Sequence, residues 1–73
     1  MPLSTITVQH SDGSPARGVR VSLGFSFGMT DAHLTDKYGV AVVEHSSVGR
    51  ATVFAAGRDQ GSFHAPGRYV VTL

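Results

Sequence analysis

The chain has 73 residues, a formal net charge of +1, 15% charged residues and no cysteine. A chain of this length forms one domain, 1–73, with a thin core, because it buries only about 60% of the surface its unfolded form exposes. The lack of cysteine excludes disulfides and thiolate chemistry, and six basic residues scattered along the chain predict no nucleic-acid binding.

Strand-like segments separated by turn signals occupy the first half. Residues 4–10 and 19–25 alternate apolar and polar side chains with the period of two that is typical of half-buried strands. Between them, Asp12-Gly13 is a turn pair, and Pro15 belongs in the connection because it cannot donate to a ladder. Residues 26–31 form a hairpin loop or a corner between sheets, and 32–35 a short edge strand.

The second half continues the pattern. Residues 36–39 predict a turn, and 40–44 are apolar on both faces, which predicts a central strand covered on both sides. The pattern then predicts a turn at 45–49, a strand at 50–56, a turn at 57–61, a short strand at 62–65 and a last strand at 68–73. Turn signals every 8–12 residues or so favour an all-β sandwich or small barrel.

Two motifs carry a family resemblance. D-G-S-P-A-R-G-V-R-V at 12–21 and T-D-K-Y-G-V-A-V-V at 35–43 resemble the carboxypeptidase regulatory-like domain of the transthyretin-like (prealbumin-like) group. The resemblance covers roughly 5–56. It implies a small Greek-key β-sandwich of about six to seven antiparallel strands, transthyretin-like or immunoglobulin-like. It also implies a non-catalytic binding or accessory module, often found in periplasmic or extracellular proteins.

Two other branches of this group can be weighed. The start of the chain and 14–21 are also similar to the hydroxyisourate hydrolases, small enzymes whose site lies at an oligomer interface. That family has a catalytic histidine in the first strand, where this chain has Ile6 and Thr7, and its terminal Y-R-G-S motif is missing. A hydrolase therefore stays the alternative. Isopeptide-forming adhesins need an asparagine, which the chain lacks, and its single lysine, Lys37, lies in a turn.

Four histidines, His10, His33, His45 and His64, are the main candidates for chemistry. Each is predicted at a strand end or turn, which favours surface histidines over metal ligands, since nothing in their spacing indicates convergence. A response to pH is a second option. No G-x-S-x-G elbow is present, so the sequence predicts no catalytic residue, metal or cofactor.

The segment 26–33 is the predicted binding loop, with Phe27, Met29 and His33 as its contact residues. Phe25 is predicted in the core, and for Phe54 the core is favoured over the outer face of its strand. The function expected is a protein- or carbohydrate-binding module. Its partner is most simply a protein held by a loop or an edge strand, and a homo-oligomer is compatible with this.

The compartment stays open at this point. The first residues show no charged region followed by an apolar core, so we expect no signal peptide in this chain. Its apolar runs are far shorter than the ~20 residues of a membrane helix, so no membrane partner is expected. The resemblance favours a periplasmic or extracellular site, and a cytoplasmic one is compatible with the sequence.

Overall fold

Strands and turns make up the whole described part of the chain, residues 2–26 and 28–73 of a computed structural model. The strands are β1 Leu3–Gln9, β2 Arg20–Phe25, β3 Gly28–Met29, β4 His33–Leu34, β5 Val40–Glu44, β6 Gly49–Ala55, β7 Arg58–Ala65 and β8 Arg68–Thr72. None of the described residues lies in a helix, and so none of them forms a helix that could span a membrane. The predicted all-β class is confirmed.

The first sheet has the strand order β5-β1-β8. β1 pairs antiparallel with β5 and parallel with β8. The expectation of antiparallel strands alone is therefore wrong for one pair. The physical reason is that only a hairpin forces neighbours to run in opposite directions, and the first and last strands of the chain are not joined by one.

The second sheet has the order β3-β2-β6-β7, with β4 also paired to β2. Because β6 occupies one edge of β2, the two short strands lie along the other. Between β3 and β4, Thr30 replaces a ladder residue: its backbone N–H donates to Leu23 O, and its hydroxyl accepts from Leu23 N–H, both at 2.9 Å. This edge of β2 is therefore closed by a bulged, side-chain-assisted segment.

Thr35 anchors the end of that segment. Its buried hydroxyl donates to Ala16 O at 2.6 Å and accepts from Val19 N–H at 2.9 Å, while its backbone N–H donates to Val19 O. One buried and one part-buried main-chain group thus depend on one side chain, which ties the connection between β1 and β2 to the start of the 36–39 turn.

A single apolar core lies between the two sheets, an arrangement consistent with a small β-sandwich. Inward residues alternate with outward ones along each long strand, as the period of two predicts. The largest fully buried apolar side chains are Ile6, Val8, Val21, Leu23, Val43 and Val53. Phe25, Phe63 and Tyr69 are half-buried and pack against its margin, so Phe25 reaches the predicted core with only part of its ring.

The predicted turns at Asp12-Gly13 and at 36–39 are both present. In the first, Asp12 Oδ1 accepts from the Ser14 hydroxyl at 2.7 Å and from its backbone N–H at 2.9 Å. These hydrogen bonds, the hydroxyl's first, hold the pKa of the exposed Asp12 carboxyl below its ordinary value. In the second turn, Gly39 has φ +75°, and a Cβ there would collide with the carbonyl oxygen of Val8. Glycine is required at that close approach.

Three predictions in the second half are wrong. β5 is an edge strand with one buried face, since Val42 is 52% exposed, so 40–44 is not a covered central strand. The turn at 57–61 is instead a two-residue hairpin. Ala56 and Gly57 have φ of +55° and +77°, which suits the twist of β6 and β7.

Phe54 is the third correction. Ala51, Val53 and Ala55 face the core, so Phe54 points to the outer face of the second sheet, where it is half-buried. Its ring lies over Gly24 on the neighbouring strand, and a Cβ on that glycine would come within 2.9 Å of a ring carbon. Because Gly24 has no side chain, the outward ring of Phe54 packs over its backbone and is partly covered there.

Candidate functional site

A cleft of about 650 Å³ opens at one end of the two sheets. One wall is the end of β2 with the segment from β3 to β4, and the other is the end of β5 with the residues that follow it. Its lining is Phe25, Gly28, Met29, Thr30, Asp31, His33, Glu44, His45, Ser46 and Ser47. Apolar, acidic and imidazole groups therefore face one space.

Phe25 is common to this cleft and to two smaller depressions beside it, of about 400 and 210 Å³. The first of these also touches Phe54, and both reach Arg50. The Phe25 ring centroid lies 5.2 Å from that of His45, with the planes tilted by 36°. The floor of the cleft is thus built on the packing of one half-buried aromatic ring against one buried imidazole.

His45 is fixed by hydrogen bonds at both ring nitrogens. Nε2 lies 2.7 Å from Ser4 Oγ, and Nδ1 lies 2.7 Å from the carbonyl oxygen of Ser47. Ser4 Oγ also accepts from the Gly67 N–H at 3.3 Å. We call Gly67, Ser4, His45 and Ser47 the histidine relay; it connects the start of β1, the loop after β5 and the turn before β8.

The partners of the relay define its proton arrangement. A carbonyl oxygen only accepts, so Nδ1 carries the hydrogen and donates to Ser47 O. In the neutral imidazole, Nε2 is then an acceptor, and the Ser4 hydroxyl donates to it while accepting from Gly67. Every hydrogen bond in the relay is satisfied with His45 neutral, and no described buried side-chain polar atom lacks a partner.

A serine hydroxyl bonded to a histidine has the geometry of a nucleophile and its base. Here, however, Ser4 is fully buried and His45 is 4% exposed. A substrate carbonyl cannot reach Ser4 Oγ in this conformation, and the hydroxyl already serves the Gly67 N–H. The relay therefore holds the wall of the cleft in place rather than presenting a reactive group.

Two of the three predicted contact residues, Met29 and His33, lie in this cleft. Met29, 61% exposed, and the half-buried His33 line the same cleft, together with Asp31. Phe27, the third predicted contact, lies outside the described residues. The surface positions predicted for His10 and His64 are confirmed, since both are exposed. The prediction of a surface His45 is wrong, because the residue turns inward at the end of β5, where Ser4 offers a partner.

The sequence reasoning missed the relay. Ser4 is in phase with Ile6 and Val8, so its inward direction could have been read from the period of two. Its partner lies 41 residues away, and that pairing requires the register of β1 against β5. In residues 2–26 and 28–73, no three histidine, aspartate or glutamate side chains are grouped so as to hold a metal ion.

No protein-family model, curated protein or solved structure matches this chain.

Proposed function

We propose that the protein is a non-catalytic interaction module that holds a segment of a partner protein in the cleft beside Met29. The observation that carries the proposal is the pairing of an exposed, adaptable side chain with a fixed wall. Met29 is the exposed side chain on one wall of the cleft, and the histidine relay holds the opposite wall. The cleft volume of about 650 Å³ lies in the range of ligand sites, roughly 300–1,000 Å³.

The lining favours a partner segment with an apolar side chain next to a basic one. Phe25 and Met29 offer an apolar contact, and methionine adapts to different shapes. Asp31 and Glu44 are exposed carboxylates on opposite walls of the cleft. Lysine or arginine on the partner complements them, while an acidic segment would be repelled.

The finer fold assignment is part of the same proposal. A transthyretin-like Greek-key sandwich of the carboxypeptidase regulatory-like kind is supported by the two turn motifs, at 12–21 and 35–43. A role as an accessory module of an exported or surface protein would follow from it. We favour the binding module over the alternative, a hydrolase with a site at an oligomer interface, because Ile6 and Thr7 stand in β1 where that family has a catalytic histidine. Ser4, which is hydrogen-bonded to His45, is fully buried and adds no support for a hydrolase.

Backbone amide chemical shifts test the proposal. The ¹⁵N-labelled protein is titrated with short peptides that carry Leu or Phe beside Lys or Arg, and with the same peptides carrying Glu instead. We expect the basic peptides alone to shift resonances, with the largest changes at Met29, His33 and Ser46. The weak affinity of a short segment, about 0.1–1 mM, is sufficient for this readout.

A matched pair of variants provides the control. Met29→Ser removes the exposed side chain on one wall of the cleft, and Leu34→Ser alters a residue of similar exposure in the neighbouring short strand, outside the cleft. Met29→Ser should abolish the shifts and Leu34→Ser should retain them. Shifts that cluster elsewhere, or that survive Met29→Ser unchanged, would refute the proposal.

A further inference from the structure

The outer face of the first sheet is largely uncharged, with four apolar side chains among its ten outward residues. The outward residues, given by the burial alternation and the register, are Leu3, Thr5, Thr7, Gln9, Val40, Val42, Glu44, Arg68, Val70 and Thr72. Leu3, Val42 and Val70 are each more than half exposed. We call this surface the valine–threonine face.

Only two of these ten residues are charged, and both lie at the rim. Glu44 ends β5 on one edge of the sheet, and Arg68 begins β8 on the other edge. The second sheet differs, since Arg20 and Arg50 point outward from its interior strands β2 and β6. A face with exposed valines, no charge in its interior and opposite charges at its rim has the composition of an interface rather than of a free surface.

We propose that the valine–threonine face binds a second copy of this chain, face to face, about a two-fold axis parallel to the strands. Such an axis places β1 over β1 of the partner copy and β5 over its β8. Val40 and Val70 both pair with Thr7, so they occupy one row of the sheet. The axis therefore brings Val40 of each copy onto Val70 of the other.

Charge complementarity selects the second copy as the occupant. Val42 and Arg68 both pair with Thr5, so they lie in one row across the sheet. Glu44 pairs with Leu3, in the next row. Across the axis, Arg68 of one copy lies diagonally opposite Glu44 of the other, one row or about 7 Å away along the strands and about 10 Å away across the packed faces, a gap that two long side chains can close. The contact forms twice, as a symmetric interface requires.

The small size of the face predicts a weak dimer. Three strands about 4.8 Å apart and about five residues long give a footprint of roughly 15 by 17 Å, so each copy buries on the order of 250 Å². That is below the ~800 Å² per partner of a standard interface. A reversible dimer with a dissociation constant of about 0.1–1 mM is therefore expected, rather than a permanent one.

Sedimentation equilibrium of the full chain from about 10 µM to 2 mM tests the proposal across that range. The wild type should pass from a 7.7 kDa monomer to a dimer. Val42→Lys, which puts a charge on the β5 side of the face opposite Arg68 of the other copy, should raise the dissociation constant at least tenfold. Val48→Lys changes a valine that is more exposed (66% against 52%), in the loop before β6, and should leave the dissociation constant unchanged. Val70→Lys replaces Val42→Lys if circular dichroism shows that variant to be unfolded.

Charge reversal tests the axis itself. Glu44→Arg and Arg68→Glu should each raise the dissociation constant several-fold at low salt, and the double variant should restore it. A wild type that stays monomeric at about 2 mM, or a Val48→Lys variant as defective as Val42→Lys, would overturn the proposal. Failure of the double variant to restore dimerisation would overturn the two-fold arrangement.

Discussion

Removing the Ser4 hydroxyl tests the histidine relay. In Ser4→Ala, the Nε2 atom of His45 loses a partner at 2.7 Å and the Gly67 N–H loses its acceptor. His45 cannot turn to water, because it is 4% exposed and its Nδ1 stays bound to Ser47 O. The substitution thus leaves a buried acceptor unpaired without creating a sizeable cavity.

The magnitude follows from the two lost partners. A buried polar group left without a hydrogen bond costs about 1–3 kcal/mol. Gly67 is half-buried and recovers part of its loss from solvent, so we expect Ser4→Ala to lower the free energy of unfolding by about 2–3 kcal/mol. A 73-residue domain has about 4–11 kcal/mol in total, so the loss is a large share of it.

Urea unfolding followed by circular dichroism measures this loss. With a slope of about 1 kcal/mol per molar urea for a chain of this size, the midpoint should fall by about 2–3 M. Ser62→Ala, which removes a hydroxyl bonded at the surface to Arg50, should move the midpoint by less than about 0.5 M. The double variant Ser4→Ala/His45→Leu should cost less than the sum of its two single changes, because both ends of one bond are then gone. A Ser4→Ala midpoint within error of wild type would refute the relay.

Three further predictions concern the turns and the Thr35 anchor. Thr35→Val should cost about 2 kcal/mol in urea unfolding, because the buried Ala16 carbonyl and the part-buried Val19 N–H lose their partner, while Thr35→Ser should cost about 1 kcal/mol or less. Gly39→Ala should cost at least about 3 kcal/mol, since backbone blocks its Cβ, against about 1–2 for Gly13→Ala, which has strain alone. An NMR titration should show the pKa of Asp12 below 3.8 and raised towards it by Ser14→Ala. The depressed value means that this carboxylate's stabilisation is present above the unfolded-state pKa and is lost as the pH falls through the folded-state value.

The fold could be predicted where one strand or one turn contains its own signal. The alternation in 4–10 and 19–25 correctly predicts the inward faces of β1 and β2. The turns at 12–13 and 36–39 also lie where the sequence predicts them. Direction and neighbours could not be predicted in this way. The parallel pairing of β1 with β8, and the position of β5 at an edge, depend on contacts between distant segments that no local pattern encodes.

The candidate site shows the same limit. Met29 and His33 were chosen from loop composition, and they line the cleft because the segment from β3 to β4 follows the edge of β2. The opposite wall comes from the end of β5, and its hidden support comes from Ser4 and His45. A serine and a histidine 41 residues apart carry no joint signal in the sequence. Their partnership exists only once β1 and β5 are in register.

The apolar second face of 40–44 still needs a physical account. The sequence predicted a strand covered on both sides, and the structure covers one: Val42 remains 52% exposed at the edge of the first sheet. Exposed valine on a solvated edge strand favours aggregation, and edges are usually protected by charge or proline. The proposed dimer covers this second face with the same face of another copy. In that dimer, 40–44 is covered on both faces, as the sequence predicted, but one of the two covers comes from the second copy. The comparison of Val42→Lys with Val48→Lys tests whether this second cover exists.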